Sequence, residues 1–403
     1  MQHMNGMNNN NGDSLKGRLG PVLFLTVIFT LNFTSRIILS PLSPAVELEL
    51  QLRHADVGVC FFMITAGYFV SLVGSGFVSS WISHRHTIAL SILLVGCVTY
   101  GISHIDSAVS LGAGMFLMGL VTGIYLPSGI ATITGAVRQQ EWGKALAIHE
   151  FAPNLGYVAA PLVVEAVLMS YSWRVVLEVL ALACIVAGIA FYLFGDKEER
   201  YGTKPDFTSL RSLFTDTSFV IMVILFGLGI SSTLGVYSML PAFLVERHGM
   251  ARAEANALVA MSRVSTLVIV FIAGWVTDRF GAARTLKAVL ILTGLVTVCI
   301  GLAPSSWIAV VIFLQPVMAV SFFPAAFALL AAIVSLETRN LAVSFAIAIA
   351  FMFGGGAVPA FIGLLGDAGW FAYGFMIVGF AILFGGIFLV FVKLREKQRF
   401  EKY

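Results

Sequence analysis

Two arginines stand where hydrocarbon is expected. Arg36 lies in the apolar run from Val22 to Pro44, VLFLTVIFTLNFTSRIILSPLSP, and Arg263 falls near the centre of a later apolar run. Read as a helix over about 19–42, the first run places Arg36 within roughly a turn and a half of its middle. A charge at that depth costs at least ~2.5–3.5 kcal/mol on insertion scales, so it must face water or a partner. A guanidinium presents five donors in a planar fork that matches a carboxylate or phosphate. Asn32 sits one turn before Arg36 on the same face. The chemistry implied is anion capture by Arg36 and Arg263, with too few intramembrane acids to neutralise both. The competing reading pairs Arg36 with Glu150 and Arg263 with a helix carbonyl end.

A second polar group lies in the stretch Ala147-Ile-His149-Glu150-Phe-Ala-Pro153-Asn154-Leu-Gly156. Pro153 and Gly156 should kink the helix or admit a close neighbour. Glu150 is the candidate proton carrier. Burial raises a carboxyl pKa and a nearby arginine lowers it, so an anion in the cavity could switch its protonation. His149 titrates near neutrality but points about 100° away on a helix, so only one of the pair can face the cavity squarely. Tyr125, Tyr237 and Gln315 could donate hydrogen bonds to a substrate or pack between helices. There is no phosphate loop and no zinc-ligand spacing, and the four cysteines (Cys60, Cys97, Cys184, Cys299) fall in apolar segments as packing residues. No enzyme activity, cofactor or metal is therefore expected.

The elements that must position these residues are membrane helices. Of 403 residues, 59% are hydrophobic and 11% charged, against about 25% charged in a soluble protein. Twelve apolar spans can be drawn, at about 19–42, 55–80, 86–103, 107–135, 142–168, 173–194, 217–245, 254–277, 284–303, 306–334, 340–365 and 369–392. The longest polar connection, 195–216, divides them six and six. With the N-terminus inside, 18 lysines and arginines lie on the inner side and 4 outside, leaving Arg36 and Arg263 in the membrane. That bias puts both termini in the cytoplasm. The polar, Asn-rich 1–18 reads as a disordered tail, and the first apolar run as retained rather than cleaved.

The halves repeat. Pro44-Ala45 matches Pro241-Ala242, Gly76 matches Gly274, Pro127 matches Pro324, Pro161 matches Pro359 and Trp173 matches Trp370, all offset by 197 or 198. A parallel six-helix repeat is a transporter architecture with its site at the repeat interface. The chain resembles the major facilitator superfamily in this layout and in Gly274-Trp-Val-Thr-Asp278-Arg279-Phe-Gly281-Ala-Ala-Arg284, which is similar to the family's loop signature between spans eight and nine. The first half keeps Gly76 and Arg85 but has Ser80, Trp81 and Ser83 where Asp, Arg and Gly are usual. The resemblance implies that helices one, four, seven and ten line a cavity, placing Arg36 there. It also implies that Gly274, Asp278 and Arg279 help set the balance between conformations. A basic residue on helix one with an arginine on helix eight is similar to the monocarboxylate branch, although Val259 stands where that branch carries an acid.

These readings give a set of expectations. The fold is an all-α polytopic membrane protein, two six-helix bundles related by a pseudo-two-fold axis along the membrane normal. The bundles span 19–194 and 217–393, joined by a linker at 195–216 and followed by a tail at 394–403. The function is secondary transport of a small, carboxylate-like organic anion, coupled to protons through Glu150 or His149, with proton-coupled drug efflux as the alternative. Arg36, Arg263, Asn32, Tyr125, Tyr237 and Gln315 are the candidate substrate residues. The partners are the anion, a proton and the lipid bilayer of a cell inner membrane, with no nucleic acid and a monomeric state.

Overall fold

The computed structural model describes residues 13–195, 200–202, 213–334 and 339–392. Residues 1–12 of the expected 1–18 tail, most of the 195–216 linker and the 394–403 tail lie outside the described residues, and Leu15–Arg18 form the start of the first helix instead of disordered tail. Within them the chain forms twelve helices long and apolar enough to cross a membrane. We label these α1 (Leu15–Leu50), α2 (His54–Trp81), α3 (His84–Ile102), α4 (Ala108–Ala136), α5 (Gln139–Leu168), α6 (Trp173–Phe194), α7 (Thr217–His248), α8 (Arg252–Phe280), α9 (Ala282–Leu302), α10 (Ile308–Ile333), α11 (Ala342–Asp367) and α12 (Phe371–Phe391). Large apolar side chains on their outer faces, such as Val186, Phe271 and Phe384, are exposed, as a lipid-facing surface requires.

Several helices are broken at mid-membrane, and the prolines account for most of the breaks. Helical geometry lapses at Ile38, Ile124, Glu150 and Ser321, each three residues before Pro41, Pro127, Pro153 or Pro324. Proline cannot donate to the carbonyl four residues back, and its ring presses on that carbonyl, so the turn before it loosens. In α7 and α11 the helix instead widens into π segments at Ser231–Gly235 and Phe351–Ala357.

The two bundles use the same internal pairings. Helix α3 packs on α6 as α9 packs on α12, and α1 on α5 as α7 on α11. A Cβ at Gly96 would lie 2.9 Å from the Ala181 carbonyl, and one at Gly294 would lie 2.5 Å from the Leu383 nitrogen. These glycines, 198 positions apart (294 − 96), permit the same close crossing twice. Between bundles, α1 meets α7 and α5 meets α8 chiefly in the segments away from the termini, and α2 runs along α11. Gly356 of α11 comes so near α2 that a Cβ would strike Thr65, so the Gly354–Gly356 run serves close packing. Toward the face that carries the termini, the ends of α4 and α5 make no extended contact with the ends of α8 or α10 among the described residues. The molecule is therefore shut on the far face and parted on the termini face.

Candidate functional site

Between the bundles lies a cavity of about 280 Å³. Arg36, Arg263, Glu150, Asn154 and Thr233 supply its polar edges, and its walls are largely aromatic and aliphatic. On α1 the wall residues Phe29, Phe33 and Arg36 fall at i, i+4 and i+7, one helix face.

Both arginines are buried, with 6% and 4% of their surface exposed. Neither forms an ion pair with an acid among the described residues. They are held by rings instead. The guanidinium carbon of Arg36 lies 3.8 Å from the centroid of Tyr68, 4.7 Å from Phe351 and 5.5 Å from Phe33. That of Arg263 lies 4.6 Å from Tyr157 and 5.1 Å from Tyr237. Phe33 meets Tyr157 edge-on at 5.1 Å, and Tyr157 meets Tyr237 edge-on at 4.6 Å. One aromatic belt thus joins the two cations. A ring attracts a guanidinium through its π face without cancelling its charge, and it leaves donors in the guanidinium plane for an acceptor.

Arg263 donates from Nη2 to the Thr233 carbonyl at 3.0 Å, and Gln315 Nε2 donates to the Ser232 carbonyl at 2.6 Å. Both carbonyls belong to the π segment of α7, where the wider turn leaves carbonyls unmatched in the ordinary helical ladder. The α7 π segment is thus the device that orients Arg263. Sequence reasoning had no access to it, beyond the polar, glycine-ended run Ser231-Ser-Thr-Leu-Gly235.

The remaining candidates occupy other positions. Arg36, Arg263 and Glu150 reach the cavity; Asn32, Tyr125, Tyr237 and Gln315 are buried behind its wall. Asn32 Nδ2 donates to the Thr122 carbonyl at 3.3 Å. Tyr237 packs beneath Arg263, and its hydroxyl has no hydrogen-bond partner among the described residues. Asn154 and Thr233 reach the cavity without having been singled out as substrate residues.

His149 and Glu150 divide as the 100° helical offset requires. His149 is fully buried, and its ring stacks on Phe29 at 4.5 Å. The Glu150 side chain, 53% exposed, enters the cavity. Tyr125 sets the histidine tautomer. Its hydroxyl donates its one hydrogen to the Leu25 carbonyl at 2.8 Å, so toward His149 Nε2, 3.0 Å away, it can only accept. Nε2 therefore carries a hydrogen. His149 Nδ1 faces Glu150 Oε1 at 3.4 Å, and two lone pairs there would repel. One proton on that axis, on either residue, satisfies both.

At the termini face, Asp278 and Arg279 close α8 and are exposed. Gly281 follows with φ +87°, a conformation that glycine adopts without strain. A Cβ at Gly274 would meet nothing within 4 Å, so in this conformation no neighbouring helix calls for glycine there.

Twelve spans in two bundles, parted on one face around a central cavity, define an alternating-access secondary transporter. The family model of the Major Facilitator Superfamily matches residues 25–268 and 232–402, and the chain belongs to that family. It is 22% identical over 424 aligned positions to the uncharacterized transporter YybO of Bacillus subtilis (strain 168), covering 91% of this chain and 92% of that protein. It is also 22% identical over 263 positions to the nitrite extrusion protein of the same organism, covering 64% of this chain and 65% of that protein. Among solved structures it resembles a bacterial homolog of the human lysosomal transporter Spinster, inward-facing and unoccupied (TM-score 0.75, 18% identity, 94% of this chain and 96% of that one). It also resembles a D-xylose-proton symporter (TM-score 0.77, 15% identity, 91% and 96%).

Proposed function

We propose that the chain carries a small organic anion across a cell inner membrane by alternating access, coupled to protons. Arg36 and Arg263 bind the anion, and the His149–Glu150 pair holds the coupling proton. The observation that carries this reading is a pair of buried guanidiniums, unpaired with any acid among the described residues, in an otherwise largely apolar cavity. With Arg36 and Arg263 charged and one proton on the His149–Glu150 pair, the site keeps a net positive charge that an anion offsets.

Two likenesses support the reading: one relative is named for extruding nitrite, also an anion, and one structural neighbour is named as a proton symporter. The lysine and arginine bias supports cytoplasmic termini, which makes the parted face the cytoplasmic one. The chain works as a monomer, with Gly274, Asp278 and Arg279 acting on the conformational balance at the α8–α9 turn. A second reading, export of apolar cations, draws on the half-exposed Glu150 among aromatic walls; it predicts drug resistance that depends on Glu150 and no anion uptake.

The test is uptake of labelled carboxylates into proteoliposomes. Arg36→Ala and Arg263→Ala should each lower uptake about 10- to 100-fold, the scale of a lost charge-assisted contact. Arg263→Lys should restore only part of it, because the fork is lost. Unchanged uptake in both alanine variants would remove the arginines from the mechanism.

A further inference from the structure

The cavity is cationic at one level and largely aromatic and aliphatic, with Glu150, at another. Helix α1 runs away from the termini face, and Arg36 lies seven residues beyond Phe29; on α5, running the same way, Tyr157 lies seven beyond Glu150. Helix α8 runs the opposite way, and there Arg263 precedes Val270 by seven. Seven helical residues rise about 10 Å. In three helices, then, the arginine level lies about 10 Å deeper from the termini face than the level of Phe29, Glu150 and Val270. Helix α10 adds Phe323 and Phe327, which stack on one another at 6.3 Å. These two rings are on the part of α10 nearer the termini face. The cationic level is thus the blind end, and the aromatic walls form the approach to it.

We infer, building on the anion reading above, that the substrate is a monocarboxylate with a flat aromatic body rather than a small inorganic anion. The carboxylate meets Arg36 and Arg263 at the blind end, and the ring lies toward the termini face between Phe29, Phe323 and Phe327. Three features of the cavity lead there. A nitrite-sized ion would engage the guanidiniums but leave the walls beneath them without an apolar partner, while an aryl body covers them and gains ring–ring contact. The two guanidiniums converge at one end, which fits a molecule with one anionic end. Glu150 stands at the body's level, so a second carboxylate on the far end of the ring would meet like charge.

The experiment is thermal-shift titration of the purified full-length protein with benzoate, phenylacetate, terephthalate, benzamide, acetate and nitrite. Benzoate or phenylacetate should bind at least about 10-fold more tightly than acetate, nitrite or terephthalate, and benzamide should produce no shift. The double variant Phe323→Leu/Phe327→Leu, at partly exposed positions, should remove most of that preference and leave nitrite affinity within about twofold. Nitrite or acetate binding as tightly as benzoate overturns the aryl inference and leaves the anion reading standing. Benzamide binding as tightly as benzoate overturns the anion reading, and this inference falls with it. A preference for benzoate that survives the double variant overturns the placement of the ring.

Discussion

At the level of single residues, the cavity works by leaving some charges unmatched and fixing others. Arg36 and Arg263 are steadied by rings and one carbonyl, none of which neutralises them. The His149–Glu150 pair is the opposite case, since its geometry admits one proton and its neighbours decide where. Tyr125→Phe tests that assignment. Without the hydroxyl, the Nε2 hydrogen of His149 loses its acceptor in a buried site, a penalty of about 1–3 kcal/mol. The ring is then free to take the other tautomer and donate from Nδ1 to an ionised Glu150. Thermal unfolding should fall by that amount, and the dependence of uptake on pH should flatten. Glu150→Gln should abolish proton dependence while permitting substrate exchange across the membrane. If uptake follows the wild-type pH profile in Tyr125→Phe, the tautomer lock plays no part in coupling. The residue-level signal in the sequence was intramembrane charge, and it led to Arg36, Arg263 and Glu150. It could not separate a polar side chain facing the cavity from one serving a backbone carbonyl. Gln315 and Asn32 bind carbonyls of neighbouring helices, and only the assembled fold brings those carbonyls near.

At the level of helices, hydropathy and proline placement carried most of the information. The twelve spans follow from runs of apolar residues about as long as the bilayer is thick. The offset that joins Pro127 to Pro324 also joins two mid-membrane breaks, at Ile124 and Ser321. The π segments were illegible because a widened turn is stabilised by what packs around it, and Ser231–Gly235 carries no proline to announce it. The α8–α9 signature permits a paired test. Gly281 has φ +87° and ψ 144°, where a side chain costs on the order of 1–3 kcal/mol. Gly281→Ala should lower stability by about that much. Gly274 lies within the helix with open space beside it, so Gly274→Ala should leave this conformation unharmed or raise its stability by up to ~1 kcal/mol. If the glycine is needed when the termini face closes, uptake by Gly274→Ala will nonetheless slow. Uptake at the wild-type rate would assign Gly274 no part in switching. Both effects can be read from one thermal-unfolding and uptake series.

Across the whole molecule, transport requires the far face to open, and two polar clusters hold it shut. In one, His54 of α2 places Nδ1 3.1 Å from Glu47 of α1 and bonds Glu246 of α7 through Nε2. Asp367 of α11 accepts from the backbone nitrogens of His54 at 2.8 Å and Ala55 at 3.1 Å. Arg53, next in the chain, is taken up by Asp56. In the other, Glu165 of α5 accepts from Arg252 at 3.0 Å and Asn256 at 2.6 Å, both on α8, while Asn256 also reaches the Pro41 carbonyl of α1 at 3.0 Å. Every helix named crosses from one bundle to the other through these contacts, so the far face cannot part without breaking both clusters. His54 can satisfy two carboxylates only as imidazolium, because a neutral ring would turn one lone pair toward an acid. Acid on the far face should therefore favour the closed state, and rising pH should weaken it by leaving Glu47, Glu246 and Asp367 close together. His54→Gln should shift the balance toward far-face opening by about 1–3 kcal/mol, the scale of a lost charge-assisted bond. Spin labels at Leu48 and Trp307, both well exposed, would read the separation by pulsed dipolar spectroscopy in a cysteine-free background. The wild-type protein should show one short distance at low pH and gain a longer one as pH rises. His54→Gln should show the longer distance at every pH. A wild-type distribution that ignores pH, or a His54→Gln distribution that matches it, would mean that the Arg252–Glu165–Asn256 cluster alone keeps the far face closed.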